Sequence, residues 1–224
     1  MHRYSRPLRV VAILLSSLAG FVDALAFLKL GGFFVSFMSG NSTRLAVGLA
    51  EHSQAAWIAG GLIAIFVLGV ILGSTLGRRA GRTRKPAVLG LVTLFLVAAA
   101  LVHDLAGDPW ALASSGFLAL AMGALNATFE RDGDIAIGIT YMTGALVKFG
   151  QRLSTALSGG DRWAWAPFLL LWTGLVSGAW LGAIAFDQLG FDAIWIGASL
   201  GGVLTLATLI ISRRNQPPQS TATV

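Results

Sequence analysis

A short polar motif occurs twice in this chain, each time inside a long apolar tract. Phe37-Met38-Ser39-Gly40 returns 104 residues later as Tyr141-Met142-Thr143-Gly144. A basic residue follows each glycine after four positions, Arg44 in the first copy and Lys148 in the second. Small hydroxyl residues are typical of a helix start, where free backbone N–H groups and the helix dipole attract an anion or the negative end of a dipole. The pattern therefore predicts two equivalent binding elements for a small solute.

The residues that we expect to line this site belong to the two motifs: Ser39, Gly40, Asn41, Arg44, Thr143, Gly144 and Lys148. Asp23 and Asn126 occupy matching places ahead of the motifs and are expected to support the site. A charge inside a membrane costs about 2.5–3.5 kcal/mol, so such residues have a structural or a functional role. Alternatives stay open at this stage: Asp23 neutralises Arg44 in an ion pair or takes up a proton, and Lys148 extends toward the membrane surface.

The chain carries no recognisable signature of a zinc protease or a nucleotide-binding enzyme. His-Glu-x-x-His is missing, as is a glycine-rich phosphate loop ending in Lys-Ser or Lys-Thr. There is no cysteine, which removes disulfides and thiolate metal ligands from consideration. We therefore predict that the protein is not an enzyme and that it needs no metal and no cofactor.

Two further landmarks repeat in the same order as the motif. Gly20 and Asp23 recur as Gly123 and Asn126, at a separation of 103 residues. Glycines at every fourth position recur at a separation of 105, first Gly69, Gly73 and Gly77, then Gly174, Gly178 and Gly182. The conserved order indicates an internal duplication. Because the glycines share one helix face, they predict close approach between helix backbones.

Composition is typical of a membrane protein. Hydrophobic residues make up 55% of the chain, charged residues 12%, and the mean hydropathy is +0.75, whereas a soluble domain carries about 25% charged residues. A hydrocarbon core of about 30 Å is crossed by about 20 helical residues. Six apolar tracts meet this requirement: 9–28, 55–77, 86–103, 110–129, 165–186 and 192–212. The motifs lie in two further tracts, 33–50 and 136–157.

The distribution of Lys and Arg predicts whether the two motif tracts cross the membrane. Basic residues collect on the cytoplasmic side. If both tracts enter and leave on one side, thirteen of the sixteen basic residues lie inside, and only Lys29 lies outside. If both tracts cross, the same fourteen residues divide seven and seven. We therefore predict six transmembrane helices plus two re-entrant half-helix segments, with both termini in the cytoplasm.

Three spans in each copy make the second copy enter the membrane from the opposite side, so the repeats are inverted. Membrane repeat 1 covers residues 9–103 and membrane repeat 2 covers 110–212, joined by an outside linker at 104–109. Residues 1–8 form a cytoplasmic N-terminus, and 213–224 a Pro- and Gln-rich tail that is expected to be disordered. Inverted repeats with interrupted segments are typical of transporters that bind their substrate near the membrane midplane.

Three motifs of the first repeat resemble a known family: Gly20-x-x-Asp23-Ala24, Phe27-Leu28-x-Leu30-Gly31-Gly32-x-Phe34 and Met38-Ser39-Gly40-Asn41. Together they resemble the signature of the YoaK-like family, bacterial inner-membrane proteins classed as a domain of unknown function. Where that family usually has Thr before Gly-Asn, this chain has Ser39, which keeps the hydroxyl group. The resemblance covers nearly the whole chain and implies an integral membrane protein of bacteria, without implying a substrate.

These observations predict an all-α polytopic membrane protein that acts as a channel or secondary transporter for a small anionic solute. Two alternatives stay open, a transporter of a neutral polar solute and a non-transporting scaffold or regulatory protein. The expected partners are the lipid bilayer, the solute and, in a homo-oligomer, further copies of the chain. Nucleic acid is not expected, because membrane orientation accounts for the net positive charge. The predicted location is the bacterial inner membrane.

Overall fold

The computed structural model describes residues 6–131, 134–135 and 137–214, and in this part of the chain the fold is all-α, as predicted. Its α-helices are α1 Arg6–Lys29, α2 Met38–Ala50, α3 Gln54–Ala80, α4 Arg84–Ala106, α5 Ala111–Leu125, α6 Met142–Leu157, α7 Ala166–Leu189 and α8 Ile194–Arg214. Short 3-10 turns lie at Gly81–Thr83, Asp108–Trp110, Asn126–Phe129 and Gly190–Ala193. A two-residue antiparallel ladder pairs Glu130–Arg131 with Asp134–Ile135.

Four stretches of the described chain are long and apolar enough to cross a membrane: Leu8–Lys29, Gln54–Ala106, Asp108–Phe129 and Ala166–Arg213. The second stretch contains α3 and α4, and the fourth contains α7 and α8. Gly81 and Gly190 separate these helices with φ of 51° and 61°, values that glycine adopts without steric cost. Helix α1 begins at Arg6 and α8 continues to Arg214, slightly beyond the predicted repeats, and residues 1–5 and 215–224 lie outside the described part.

The glycine series bring helix backbones into direct contact, as the sequence predicts. On α7, a Cβ at Gly178 would overlap the carbonyl of Ser17, and one at Gly182 would overlap that of Phe21. On α3, Gly69 meets Leu120 and Gly73 meets Ala124 in the same way. Contacts that advance by four residues on both helices show that α7 runs parallel to α1 and that α3 runs parallel to α5. Gly77 differs, because its neighbour is the side chain of Arg84.

The first helices of the two predicted repeats run in opposite directions. Helix α1 ends at Lys29, whose ammonium forms an ion pair with Asp108, just ahead of α5. Helix α5 leads to the opposite end of the bundle, where Arg84 Nε, at the start of α4, donates to the Ala127 carbonyl at 3.0 Å. We refer to these two ends as the Lys29 end and the Arg84 end.

The two motif tracts each begin and end at one end of the bundle. Helix α2 has 13 residues and α6 has 16, about 20 and 24 Å at 1.5 Å per residue, less than a membrane core of about 30 Å. Gly48, near the end of α2, packs against Ala56 at the start of α3. The first tract therefore leaves α1 at the Lys29 end and rejoins α3 at that end. The second leaves α5 and rejoins α7 at the Arg84 end.

The two parallel helix pairs pack in the same register. Gly69 meets Leu120 as Gly178 meets Ser17. Leu120 lies 103 residues after Ser17, whereas Gly178 lies 109 residues after Gly69, the separation that also relates the helix-ending glycines Gly81 and Gly190. The separation of 105 residues inferred for the glycine series is therefore wrong by one helical turn, and the two halves pack these helices in equivalent ways.

We predict that Gly178→Ala destabilises the protein by about 1–3 kcal/mol, because the added methyl group must push α1 away from α7. Gly61→Ala is the matched control, since a Cβ at Gly61 meets no atom within 4 Å and alanine favours the helix by about 1 kcal/mol. Thermal unfolding in detergent, followed by circular dichroism, should show a lower midpoint for Gly178→Ala and an unchanged or higher one for Gly61→Ala. Equal midpoints for the two variants would contradict the close contact.

Candidate functional site

A cavity of about 560 Å³ lies between α1 and α7, next to the starts of α2 and α6. Its polar lining consists of Asp23 on α1, Ser36 ahead of α2 and Thr140 ahead of α6. The other lining residues are apolar: Gly20, Ala24, Phe27, Leu28, Phe34, Phe37, Met142, Leu175, Ala179 and Ala183. The segments that lead into both motif helices therefore contact one space.

Asp23 holds the non-helical segment that leads into α2. Its Oδ1 accepts the backbone N–H groups of Val35 and Ser36, both at 2.8 Å, and its Oδ2 accepts the Ser36 hydroxyl at 2.5 Å. The carboxylate also lies close to the N-terminus of α2, where a negative charge stabilises a helix by about 0.3–1 kcal/mol. Asp23 therefore occupies the position at the start of α2 where the sequence predicts a bound anion.

Asn41 is fully buried and bonds to the same segment from the other side. Its Oδ1 accepts the Phe34 N–H at 3.0 Å, and its Nδ2 donates to the Phe34 carbonyl at 2.6 Å. The hydroxyl residue of the first motif, Ser39, does not cap the helix as its type suggests. Helix α2 begins at Met38, after Phe37 and without a side-chain cap, because Asp23 and Asn41 already satisfy the backbone ahead of it.

The second repeat builds the corresponding contact without a charge. Thr140 donates its hydroxyl proton to Asn126 Oδ1 at 3.0 Å, and Asn126 Nδ2 donates to the Met122 carbonyl at 3.0 Å. Thr140 stands to Asn126 as Ser36 stands to Asp23. A further hydroxyl, Ser16 Oγ on α1, lies 3.3 Å from the Ile139 carbonyl in the segment leading to α6. The polar residues thus bond both non-helical segments to the long helices.

All seven motif residues predicted to bind solute lie outside the cavity lining. Ser39, Thr143 and Gly144 are exposed on the first turns of α2 and α6, and Gly40 lies against the rings of Phe34 and Phe37. The guanidinium of Arg44 lies 4.7 Å from the centre of the Phe33 ring, and the ammonium of Lys148 lies 5.9 Å from that of Phe168. Of the nine predicted site residues, Asp23 alone lines the cavity.

The alternative in which Asp23 neutralises Arg44 was wrong. Within the described residues, the carboxylate of Asp23 bonds to Val35 and Ser36, and no ion pair joins it to Arg44. The carboxylate instead accepts three hydrogen bonds, two of them from backbone N–H groups that any residue except proline would supply.

Sequence analysis missed Ser36 and Thr140. They are separated by the same 104 residues as the motif, so extending the alignment by one residue toward the N-terminus would have found a hydroxyl at both places. The aromatic residues Phe27, Phe34 and Phe37 also escaped notice. Their rings form a connected cluster, with centroids 5.0 Å apart for the first pair and 5.1 Å for the second.

Sequence analysis also missed one pattern that is associated with catalysis. Gly197-Ala198-Ser199-Leu200-Gly201 has the Gly-x-Ser-x-Gly spacing of a nucleophile elbow. It lies inside α8, whereas the elbow requires a sharp turn between a strand and a helix. Across residues 6–131, 134–135 and 137–214, no three His, Asp or Glu side chains come together as a metal site.

A polar network joins three segments at the Arg84 end. Arg84 Nη2 pairs with Glu130 Oε2 at 2.7 Å, and Ser74 Oγ on α3 donates to the same oxygen at 2.7 Å. Burial alone would raise the pKa of Glu130, but the hydrogen bonds from Ser74 and Arg84, together with the charges of Arg84 and Arg78, hold this pKa below its usual range. Glu130, which follows the first helix of the second repeat, therefore forms a structural ion pair with Arg84.

The helices, their apolar surfaces and the inward polar contacts define a polytopic α-helical membrane protein. The chain belongs to the family described as Protein of unknown function (DUF1275), whose model matches residues 11–207. It is 38% identical over 219 residues to a UPF0700 transmembrane protein of Rhizobium meliloti (strain 1021), covering 96% of this chain and 91% of that relative. No solved structure matches the chain. The predicted membership of an uncharacterised bacterial membrane family is confirmed.

We predict that Glu130 stabilises the fold in a pH-dependent manner. Because its pKa is lowered in the folded state, its contribution is complete above the unfolded value of 4.5 and is lost as the pH falls through the lowered pKa. The midpoint of thermal unfolding of Glu130→Gln should lie below that of the wild type at pH 7, and the difference should shrink between pH 5 and about pH 3. A difference that stays constant across this range would contradict the ionised pair with Arg84.

Proposed function

We propose that the protein is a secondary transporter for a small organic solute, which binds in the cavity between α1 and α7. The observation that carries this proposal is the meeting of both motif regions at one cavity. Ser36 and Thr140, which are equivalent in the two repeats, line the same space. The volume of about 560 Å³ is in the range of small-molecule sites, about 300–1,000 Å³.

The position of the cavity favours a carrier over a channel. Alternating access in inverted-repeat transporters opens a central site to one side of the membrane at a time. The cavity lies toward the Lys29 end, while Arg84, Glu130 and Ser74 bond three segments together at the other end.

We further propose six transmembrane helices, α1, α3, α4, α5, α7 and α8, with α2 and α6 as re-entrant half-helices in the bacterial inner membrane. The lengths of α2 and α6 and the return of each tract to its starting end support this topology. The Arg84 end carries Arg78, Arg79, Arg82, Arg84 and Lys85 on the connection from α3 to α4. Since basic residues are retained inside, this end and both termini are cytoplasmic in our proposal.

The topology can be tested with single cysteines, because the natural chain has none. We expect an impermeant thiol reagent applied to intact cells, in which the outer membrane has been made permeable, to label Glu51→Cys and Ala106→Cys and to spare Thr83→Cys and Ser158→Cys. All four positions are exposed, and a membrane-permeant thiol reagent should label all four. With the N-terminus inside, a first motif tract that crossed the membrane would leave Thr83→Cys labelled and Glu51→Cys and Ala106→Cys spared, and a second motif tract that crossed would place Thr83 and Ser158 on opposite sides.

Transport can be tested in proteoliposomes with radiolabelled glycerol, alanine, choline and benzoate, which sample neutral, zwitterionic, cationic and anionic solutes. We expect at least one solute to show protein-dependent uptake with counterflow, the behaviour of a carrier. Ala24→Trp fills the cavity and should abolish uptake. Ala113→Trp is the matched control, because it places the same side chain in a separate groove between α3 and α5 and should leave uptake intact.

A folded protein without uptake of any solute would contradict the transporter proposal and favour a scaffold or regulatory protein. Uptake without counterflow would favour a channel. Equal loss of uptake in both tryptophan variants would contradict the proposal that the solute passes through this cavity.

A further inference from the structure

The polar groups that line the cavity are hydrogen-bond acceptors. An ionised carboxylate such as Asp23 has no proton to donate. Ser36 gives its hydroxyl proton to Asp23 Oδ2, and Thr140 gives its hydroxyl proton to Asn126 Oδ1, so both oxygens present only lone pairs to a ligand. A solute that fits this lining must therefore supply the donors.

The charge of the lining is negative. Asp23 is the only residue among those lining the cavity with an acidic or basic side chain, and its three hydrogen-bond donors favour the ionised form. The two motif cations do not compensate it there, because Arg44 lies over Phe33 and Lys148 over Phe168. In surroundings of low dielectric constant, a carboxylate attracts a cation strongly and repels an anion. An anionic solute would meet neither a positive charge nor a free hydroxyl proton in this lining.

The apolar part of the lining also favours a cation. Phe27, Phe34 and Phe37 form the connected ring cluster described above and all three line the cavity beside Asp23. The face of an aromatic ring carries negative charge density and attracts ammonium groups within about 6 Å of its centre. The rings and the neighbouring leucine and alanine side chains would at the same time bury an apolar body.

Taken together, this geometry points to an organic cation as the solute: a protonated amine with an apolar body, whose ammonium group is bound by Asp23, Ser36 and Thr140. This inference rests on the proposed transport function and names the chemical class of its substrate. The charge asymmetry of the repeats supports it, because the first repeat has Asp23 where the second has Asn126, which gives the cavity a single negative charge.

The test compares three probes of similar size and different charge: 2-phenylethylammonium, 2-phenylethanol and 3-phenylpropanoate. Isothermal titration calorimetry of the purified wild-type protein in detergent at pH 7 should show that the ammonium binds about tenfold or more tightly than the alcohol. The carboxylate probe should bind least. This comparison uses the natural chain and needs no variant to fold.

Variants then locate the charge. Asp23→Asn should weaken binding of the ammonium about tenfold or more and leave binding of the alcohol within about twofold. Asp187→Asn removes a carboxylate from the exposed surface of α7, outside the cavity lining, and should change neither. Phe37→Leu should weaken binding of the ammonium about threefold to tenfold through the loss of one ring.

Equal or tighter binding of the alcohol or of the carboxylate probe would overturn the cation inference and leave the transporter proposal in place. Equal losses in Asp23→Asn and Asp187→Asn would also overturn it, since the carboxylate would then act only through its long-range field. Wild-type protein that binds none of the probes would also contradict the inference. That result is expected if lipid chains fill the cavity. Absence of both binding and solute uptake would contradict the proposed function as well.

Discussion

A backbone amide without a partner inside a membrane costs several kilocalories per mole, and this constraint explains the polar residues around the two helix breaks. Residues 30–37 leave the helix. The amides of Leu30 and Gly32 still bond to the last carbonyls of α1, but those of Phe34, Val35 and Ser36 need acceptors elsewhere. Asp23 supplies two acceptor contacts for Val35 and Ser36, and Asn41 supplies one for Phe34. Because these bonds hold the segment against α1, the start of α2, the aromatic cluster and the cavity all depend on them.

The same constraint is met differently in the second repeat, and the difference places charge at different positions in the two halves. There the α-helix ends at Leu125 and continues as a 3-10 turn through Phe129, whereas α1 runs unbroken past Asp23. Asn126 and Thr140 form a neutral contact, and charge appears further on, where Glu130 pairs with Arg84. One repeat therefore places a negative charge beside a cavity, while the other uses its negative charge to join helices.

Much of the fold could be predicted because its determinants are repeated in the sequence. The apolar tracts correspond to the long helices, and Gly69, Gly73, Gly174, Gly178 and Gly182 are the residues at which backbones touch. The candidate site was harder to predict, because the rotation of a helix about its axis decides which of its residues face the cavity. With α2 beginning at Met38, Arg44 lies over Phe33 and away from the cavity lining. No spacing within the motif encodes the rotation of α2 relative to α1.

The amino-acid sequence by itself determined that the chain lies in a membrane, that it is built from two related halves and where each half departs from regular helix, because hydropathy, recurrence and helix-breaking composition are local properties. Only the tertiary structure decided which polar groups remain available to a solute. A hydroxyl group donates its proton to whichever acceptor lies within hydrogen-bonding distance, and for Ser36 and Thr140 that acceptor lies 13 and 14 residues earlier in the chain. The sign of the cavity's charge follows from those partners.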